Sequence, residues 1–230
     1  MRGFLAFVVI VVGLLYYYFA IYNNFNWNTR ITVEIETPDG VVSGSTVLRH
    51  QVGYRDKPVM GVNQLSYNKF GEAAVIPIGD HGAVFVTTRL SIFWIQNVLR
   101  ENFPDQFPGT SQKKWLHILT GLSGAFDIAT DNPPDLAYLP DKRELFGFTE
   151  ITAENIVDVL GEGYALHKIT LEFTNDPLTY GHVEAFLGED YFERRIELKR
   201  MLRAENIEPV KEWGLYDVQI FDNVLIGEQY

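Results

Sequence analysis

The side chains best suited to acid–base work or metal ligation are five histidines, at positions 50, 81, 117, 167 and 182. Their spacing spells neither. The chain has no His-Glu-x-x-His, no phosphate-cradling Gly-x-x-x-x-Gly-Lys-Ser/Thr, and no Gly-x-Gly-x-x-Gly after a strand. His182-x-Glu184 matches the opening of a zinc-deaminase signature, which also requires a cysteine pair. Cysteine is absent altogether, so thiol catalysis, Cys-ligated zinc, iron–sulfur clusters and disulfides are excluded together. Gly121-Leu122-Ser123-Gly124 falls one residue short of a nucleophile elbow and reads as a small-residue helix end. Asp80-His81 and the Glu34/Glu36 pair could be drawn into acid–base schemes, although edge-facing strand charges account for the glutamates more simply. Glu172 alternates with Leu171 and Phe173 and so faces solvent or a polar pocket. No catalytic residue, metal or cofactor is spelled. A Ser/His/acid site assembled from distant residues stays open as an alternative, because such sites are recognised by geometry.

The elements that would position these residues begin with an apolar run. Residues 4–22 read FLAFVVIVVGLLYYYFAIY, nineteen uncharged positions that span a bilayer core as a helix. A cleaved signal would be shorter and would end in a small-x-small site; here the run ends in Tyr-Phe-Ala-Ile-Tyr. Residues 1–22 are therefore expected to be an uncleaved transmembrane anchor. Tyr16, Tyr17, Tyr18, Tyr22 and Trp27 gather at its outer end, where aromatic rings favour the headgroup zone, and are the expected membrane or partner contacts. Arg2 on one side against Arg30 on the other favours a cytoplasmic amino terminus, placing the chain in a bacterial inner membrane with a periplasmic domain.

Charge supports the same division. The chain carries −11 overall, and no Asp or Glu precedes Glu34. About −12 thus falls on the part after residue 29, which repels phosphate backbones and argues against nucleic acid as a partner.

Residues 23–29 read as a short stem, and residues 30–230 as one domain with a charged helical extension from about 188. Ile31, Val33 and Ile35 alternate with Thr32, Glu34 and Glu36, which predicts a half-buried strand. Pro38-Asp39-Gly40 supplies a turn, and residues 41–52 a returning strand whose Ser43-Gly44-Ser45 invites a bulge or a close backbone approach. Further strands are predicted over 72–78, 83–87, 136–139 and 164–174, the last with a slip before Ile169, and a final one over 213–221. Helices are predicted over 91–101, 113–122 and 189–205, with another starting at Thr152 as N-cap and stopping at Gly161. The resulting class is α+β: a mostly antiparallel sheet with packed or inserted helices.

Several segments together resemble a family of uncharacterised bacterial proteins that carry an N-terminal signal or anchor. These are ITVEIETPDGVVSGSTV (31–47), GEAAVIPIGD with the following VFV (71–86), PDLAYL (134–139) and ITAENIVDVLGEGYALHKITLEFTNDPLT (151–179). The resemblance implies no activity. The chain departs from the shared pattern by continuing past residue 187, which points to a partner specific to it. The expected function is thus a membrane-anchored accessory or binding protein, a small subunit of a bacterial membrane complex that contacts lipid and other membrane subunits. The alternative is the membrane-tethered hydrolase.

Overall fold

The computed structural model describes residues 4, 7–13, 23–55, 65–80, 82–143 and 148–191, together with 193, 194, 196, 197 and 200. Alternation decides the first element. Strand β1 (Asn23–Thr37) buries Phe25, Trp27, Thr29, Ile31, Val33 and Ile35 on one face, while the even-numbered residues between them are exposed or half-exposed. It pairs along its whole length with β2 (Gly40–Tyr54), from Asn23 opposite Tyr54 to Thr37 opposite Gly40. Pro38-Asp39 is left as a two-residue turn, closed by the Thr37 hydroxyl donating to the Gly40 carbonyl at 2.7 Å. The predicted hairpin is present and longer than expected. Residues 23–29 are no stem but its first half, because Phe25 and Trp27 gain more by burial in the core than by standing in a linker.

Every strand pairing among the described residues is antiparallel. β3 (Leu65–Phe70) lies along β2, and β9 (Ala165–Thr174) lies along the other side of β1, followed by β6 (Gly124–Ile128). The slip expected before Ile169 is a register shift: Lys168 faces Glu34 and Leu166 faces Ile35, which leaves His167 as the extra residue. A second sheet runs β4 (Ala74–Ile78), β5 (Gly82–Val86), β7 (Leu136–Leu139) and β8 (Thr149–Ile151) in that order. The molecule is α+β with mostly antiparallel sheets and few helices.

The two sheets share one core. Ile31, Ile35 and Leu48 from the first meet Ile76, Val84 and Val86 from the second, with Ile95, Leu99, Trp115 and Leu119 added by helices α1 (Ile92–Asn102) and α2 (Gln112–Gly121). The Ser91 hydroxyl caps α1 by accepting the Trp94 N–H at 2.9 Å. Gly44 is where β2 comes closest to β4: a Cβ there would lie 2.7 Å from the Val75 carbonyl oxygen. That is the close backbone approach the sequence suggested. Asn155 rather than Thr152 occupies the N-cap position of helix α3 (Ile156–Leu160), and its side chain makes no capping bond there. The two residues instead bond to each other's backbone N–H, which delays the first helical turn.

The outer face of the second sheet is covered by α4 (His182–Leu187). Val183, Leu187 and the fully buried Tyr191 pack on Ala83, Phe85, Ala137 and Leu139. The start of the C-terminal extension is thus part of the core. Helix is present at the described positions between 191 and 200, and the strand expected over 213–221 lies outside the described residues.

Gly71-Glu72-Ala73, which leads into β4, ties these layers together. A Cβ on Gly71 would lie 2.8 Å from the Val47 carbonyl oxygen, so only glycine fits. Glu72 is buried, and its carboxylate accepts the backbone N–H groups of Gly181 at 2.9 Å and His182 at 2.6 Å. Its own carbonyl accepts the Thr46 hydroxyl at 2.6 Å. Glu72→Ala removes the charged acceptor of two backbone N–H groups, a loss of about 3 kcal/mol. Thermal unfolding of the variant should fall by roughly 6–12 °C, and limited proteolysis should cut first near residue 181. An unchanged melting temperature would show that Glu72 is not what holds this joint.

Candidate functional site

Two places in the fold concentrate polar side chains. The first is internal. Thr29 on β1, His50 on β2 and Tyr67 on β3 stand on neighbouring strands and form a chain of hydrogen bonds. The Tyr67 hydroxyl donates to the Leu90 carbonyl at 2.9 Å, so its oxygen accepts from His50 Nδ1–H at 2.5 Å. Nε2 is then the bare nitrogen, and the Thr29 hydroxyl donates to it at 2.7 Å. The rings of Trp27 and Tyr67 stack on either side of the imidazole.

A hydroxyl 2.7 Å from an imidazole nitrogen has the spacing of an activated nucleophile and its base. Here the pair is sealed: Thr29 and His50 are both 0% exposed. A tyrosine, not a carboxylate, holds the far nitrogen, so nothing stabilises an imidazolium. Burial, with a smaller contribution from Lys69, lowers the His50 pKa to about 3. The trio is a satisfied polar core rather than a catalytic site.

The second place is a cleft on the outer face of the first sheet. Asn26 from β1, Arg49 and Gln51 from β2, and Phe70 from β3 form its floor, and Leu178 and Tyr180 form one wall; its volume is about 410 Å³. The wall belongs to a strap, residues 176–181, that crosses the sheet after β9. Arg30, ion-paired to Glu172 of β9 at 2.5 Å, also pairs with Asp176 at the start of the strap, and Asn28 donates to the Asp176 carbonyl at 3.2 Å. Thr179 exchanges two bonds with the backbone of Val47, at 2.9 and 3.2 Å. Glu72 fixes the end at Gly181. Bonds from Thr174 and Arg30 hold the Asp176 carboxyl below its ordinary pKa, so the pinning persists into mild acid.

The remaining predicted residues are dispersed. His117 on α2 meets Phe25 edge-on at 4.9 Å, and His167 is an exposed bulge residue of β9. His182 and Glu184 are exposed on α4, where the His182 backbone, not its ring, is used. Ser123 is exposed ahead of β6, Asp80 sits in an exposed turn, and His81 lies outside the described residues. Glu34 is half-exposed and Glu36 exposed on β1, while Glu172 serves the Arg30 ion pair. Among the described residues no serine hydroxyl bonds to a histidine, and no three His, Asp or Glu side chains gather where they could hold a metal ion.

Of the expected membrane contacts, Trp27 is corrected. It is 7% exposed and stacked on His50, because the strand's alternation turns it inward. Tyr16, Tyr17, Tyr18 and Tyr22 lie outside the described residues. Residues 7–13 of the expected anchor are helical, and Phe7, Val9, Ile10 and Val12 are well exposed. Among the described residues no helix is long and apolar enough to cross a membrane.

The cleft residues had no signal as a motif, because they come from three strands and a strap. Their one trace is the even-numbered polar run Asn24, Asn26, Asn28, which has the composition of a linker and the period of a strand. No family model, curated protein or solved structure matches the chain.

His50 yields a pH prediction. Above its unfolded pKa near 6.5 the ring is neutral in both states, and stability is complete. Below that, the unfolded chain takes up a proton that the folded one refuses until about pH 3, so stability is lost as pH falls. Denaturant melts from pH 7 down to pH 4 should show a decline of about 1 kcal/mol per unit. His50→Phe should be less stable at neutral pH but should flatten that decline. An equally steep decline in the variant would assign the acid sensitivity elsewhere.

Proposed function

We propose that this chain is a membrane-anchored accessory or binding protein without catalysis of its own, a small subunit of a bacterial membrane complex. Residues 4–22 hold it in the inner membrane, the domain faces the periplasm, and its partners are lipid and other membrane subunits rather than nucleic acid. The observation that supports this reading best is the fate of the histidine–hydroxyl pair. The Thr29–His50 arrangement is buried beyond reach of any substrate, and the accessible cleft is lined by amide, guanidinium and aromatic side chains. These are groups that hold a ligand; none is a nucleophile paired with a base. The exposed apolar residues of the described anchor segment, Phe7, Val9, Ile10 and Val12, fit a lipid or helix-packing environment better than water.

Two fractionations test the proposal. In host membranes washed with alkaline carbonate, the chain should stay in the pellet at its full length; release, or a product shortened at the amino terminus, would refute the anchor. After extraction in mild detergent it should migrate in a native gel well above its own 26.3 kDa mass plus micelle. Migration as a lone chain would remove the case for a complex.

A further inference from the structure

We propose that the cleft between the face of β1–β2–β3 and the strap is a saccharide-binding site, selective for a sugar unit that carries a carboxylate. The inference rests on reading the chain as a binding protein and is independent of its anchorage.

The floor is the face of a sheet, not its edge. At the floor β2 is laddered on both sides from Arg49 to Tyr54, by β1 and by β3, while β1 pairs with β2 alone ahead of Asn28; the groups presented on the face itself are side chains. An extended peptide gains most of its affinity from main-chain bonds along an open strand edge, whereas Arg49 and Gln51 at the centre of this floor lie on a strand paired on both sides. Sugars ask for something different: side chains that both donate and accept, set in a fixed array, beside an apolar plane.

The register supplies that array. Asn26, Gln51 and Asn68 lie directly opposite one another across three strands, and all three are exposed. Each amide offers a carbonyl acceptor and two N–H donors, the complement of a hydroxyl that can do either. The side chains of Asn26, Gln51 and Arg49 make no hydrogen bond or ion pair to any described residue, so their capacity is unspent. Tyr180 is 45% exposed on the strap and Phe70 half-buried on β3, giving the apolar C–H face of a pyranose ring aromatic surface to lie against.

Arg49 sets the charge preference. On a chain with 30 acidic and 19 basic residues, a guanidinium that pairs with no carboxylate among the described residues is a local exception. Arg30, two positions from the facing Asn28, is neutralised by Glu172 and Asp176. An unpaired guanidinium accepts a carboxylate through two parallel bonds. One cation with no backbone N–H nest is poorly matched to a phosphate dianion. The strap is pinned by Arg30, Asn28, Val47 and Glu72 before any ligand arrives, so little ordering is needed on binding. A volume of about 410 Å³ is within the usual range for small-ligand sites.

Calorimetric titration of the full chain in detergent micelles tests this. The probes are trigalacturonate and the N-acetylglucosamine–N-acetylmuramate disaccharide, with their methyl esters and sodium acetate as controls. Saturable binding of at least one acidic saccharide is expected. Arg49→Gln or methyl esterification should weaken it roughly tenfold. Gln51→Ala should weaken acid and ester alike. Arg100→Gln, which removes an exposed cation on α1, should change nothing.

No saturable binding of either saccharide up to the millimolar range, unaltered binding by Arg49→Gln, or displacement by acetate at the saccharide's own concentration would each overturn the site. Chromatography of the titrated saccharide separates this outcome from the wider reading. Intact sugar supports a binding site, whereas shortened products would keep the cleft and overturn the absence of catalysis. A cleft that binds nothing leaves the membrane fractionations to decide the accessory role alone.

Discussion

The continuous pairing of β1 with β2 is the constraint on which the rest of the fold hangs. Fifteen facing positions without a break make one stiff ribbon, and every other layer is attached to it. β9 takes the free edge of β1, and β3 takes the free edge of β2 at its far end. β4 approaches the ribbon where Gly44 lets two backbones meet, and the strap crosses its outer face. The alternation of side chains then sorts function. Odd positions of β1 build the core, including the sealed Thr29–His50 pair, and even positions build the polar floor of the cleft. A one-residue slip would exchange the two.

The row of polar side chains inside this ribbon is stabilising because each member finds its partner, in contrast to the neighbouring Trp27 indole nitrogen, which is buried without one among the described residues. Thr29, His50 and Tyr67 terminate on the Leu90 carbonyl, so a row of three polar side chains closes without an unmatched proton. Glu72 does the same for a charge, meeting two backbone N–H groups at the start of α4. Both arrangements join segments far apart in sequence. They explain short recognisable motifs, Gly71-Glu72-Ala73 and the Thr174–Thr179 run, as joints of the structure rather than as chemistry.

How much could be read beforehand followed from the range of the interactions. The hairpin, the β4–β5 pair, α1, α2 and β9 were legible because alternation, turn residues and helical spacing are local signals. β3, β6 and β8 were not: each is short and is a strand only because a partner strand pairs with it. The stem was misread because Asn24, Asn26 and Asn28 suggest a polar linker until Phe25 and Trp27 are seen to share the opposite face. The cleft has no local signal in the sequence, and neither has the joint at Glu72. The members of the cleft, Asn26, Arg49, Gln51, Phe70 and Tyr180, meet only through pairing and through a strap held by long-range bonds.

Pairing that starts at Asn23 leaves no slack between the ribbon and the apolar segment ahead of it. A domain on a flexible tether would sample many heights and tilts above a bilayer. Under the proposed anchorage the strand would itself be the tether, and its rise of about 3.3 Å per residue puts Asn26 roughly 10 Å along it from Asn23. On the proposed anchorage of residues 4–22, the cleft would be held near the lipid headgroups, and an occupant would be met close to the membrane surface.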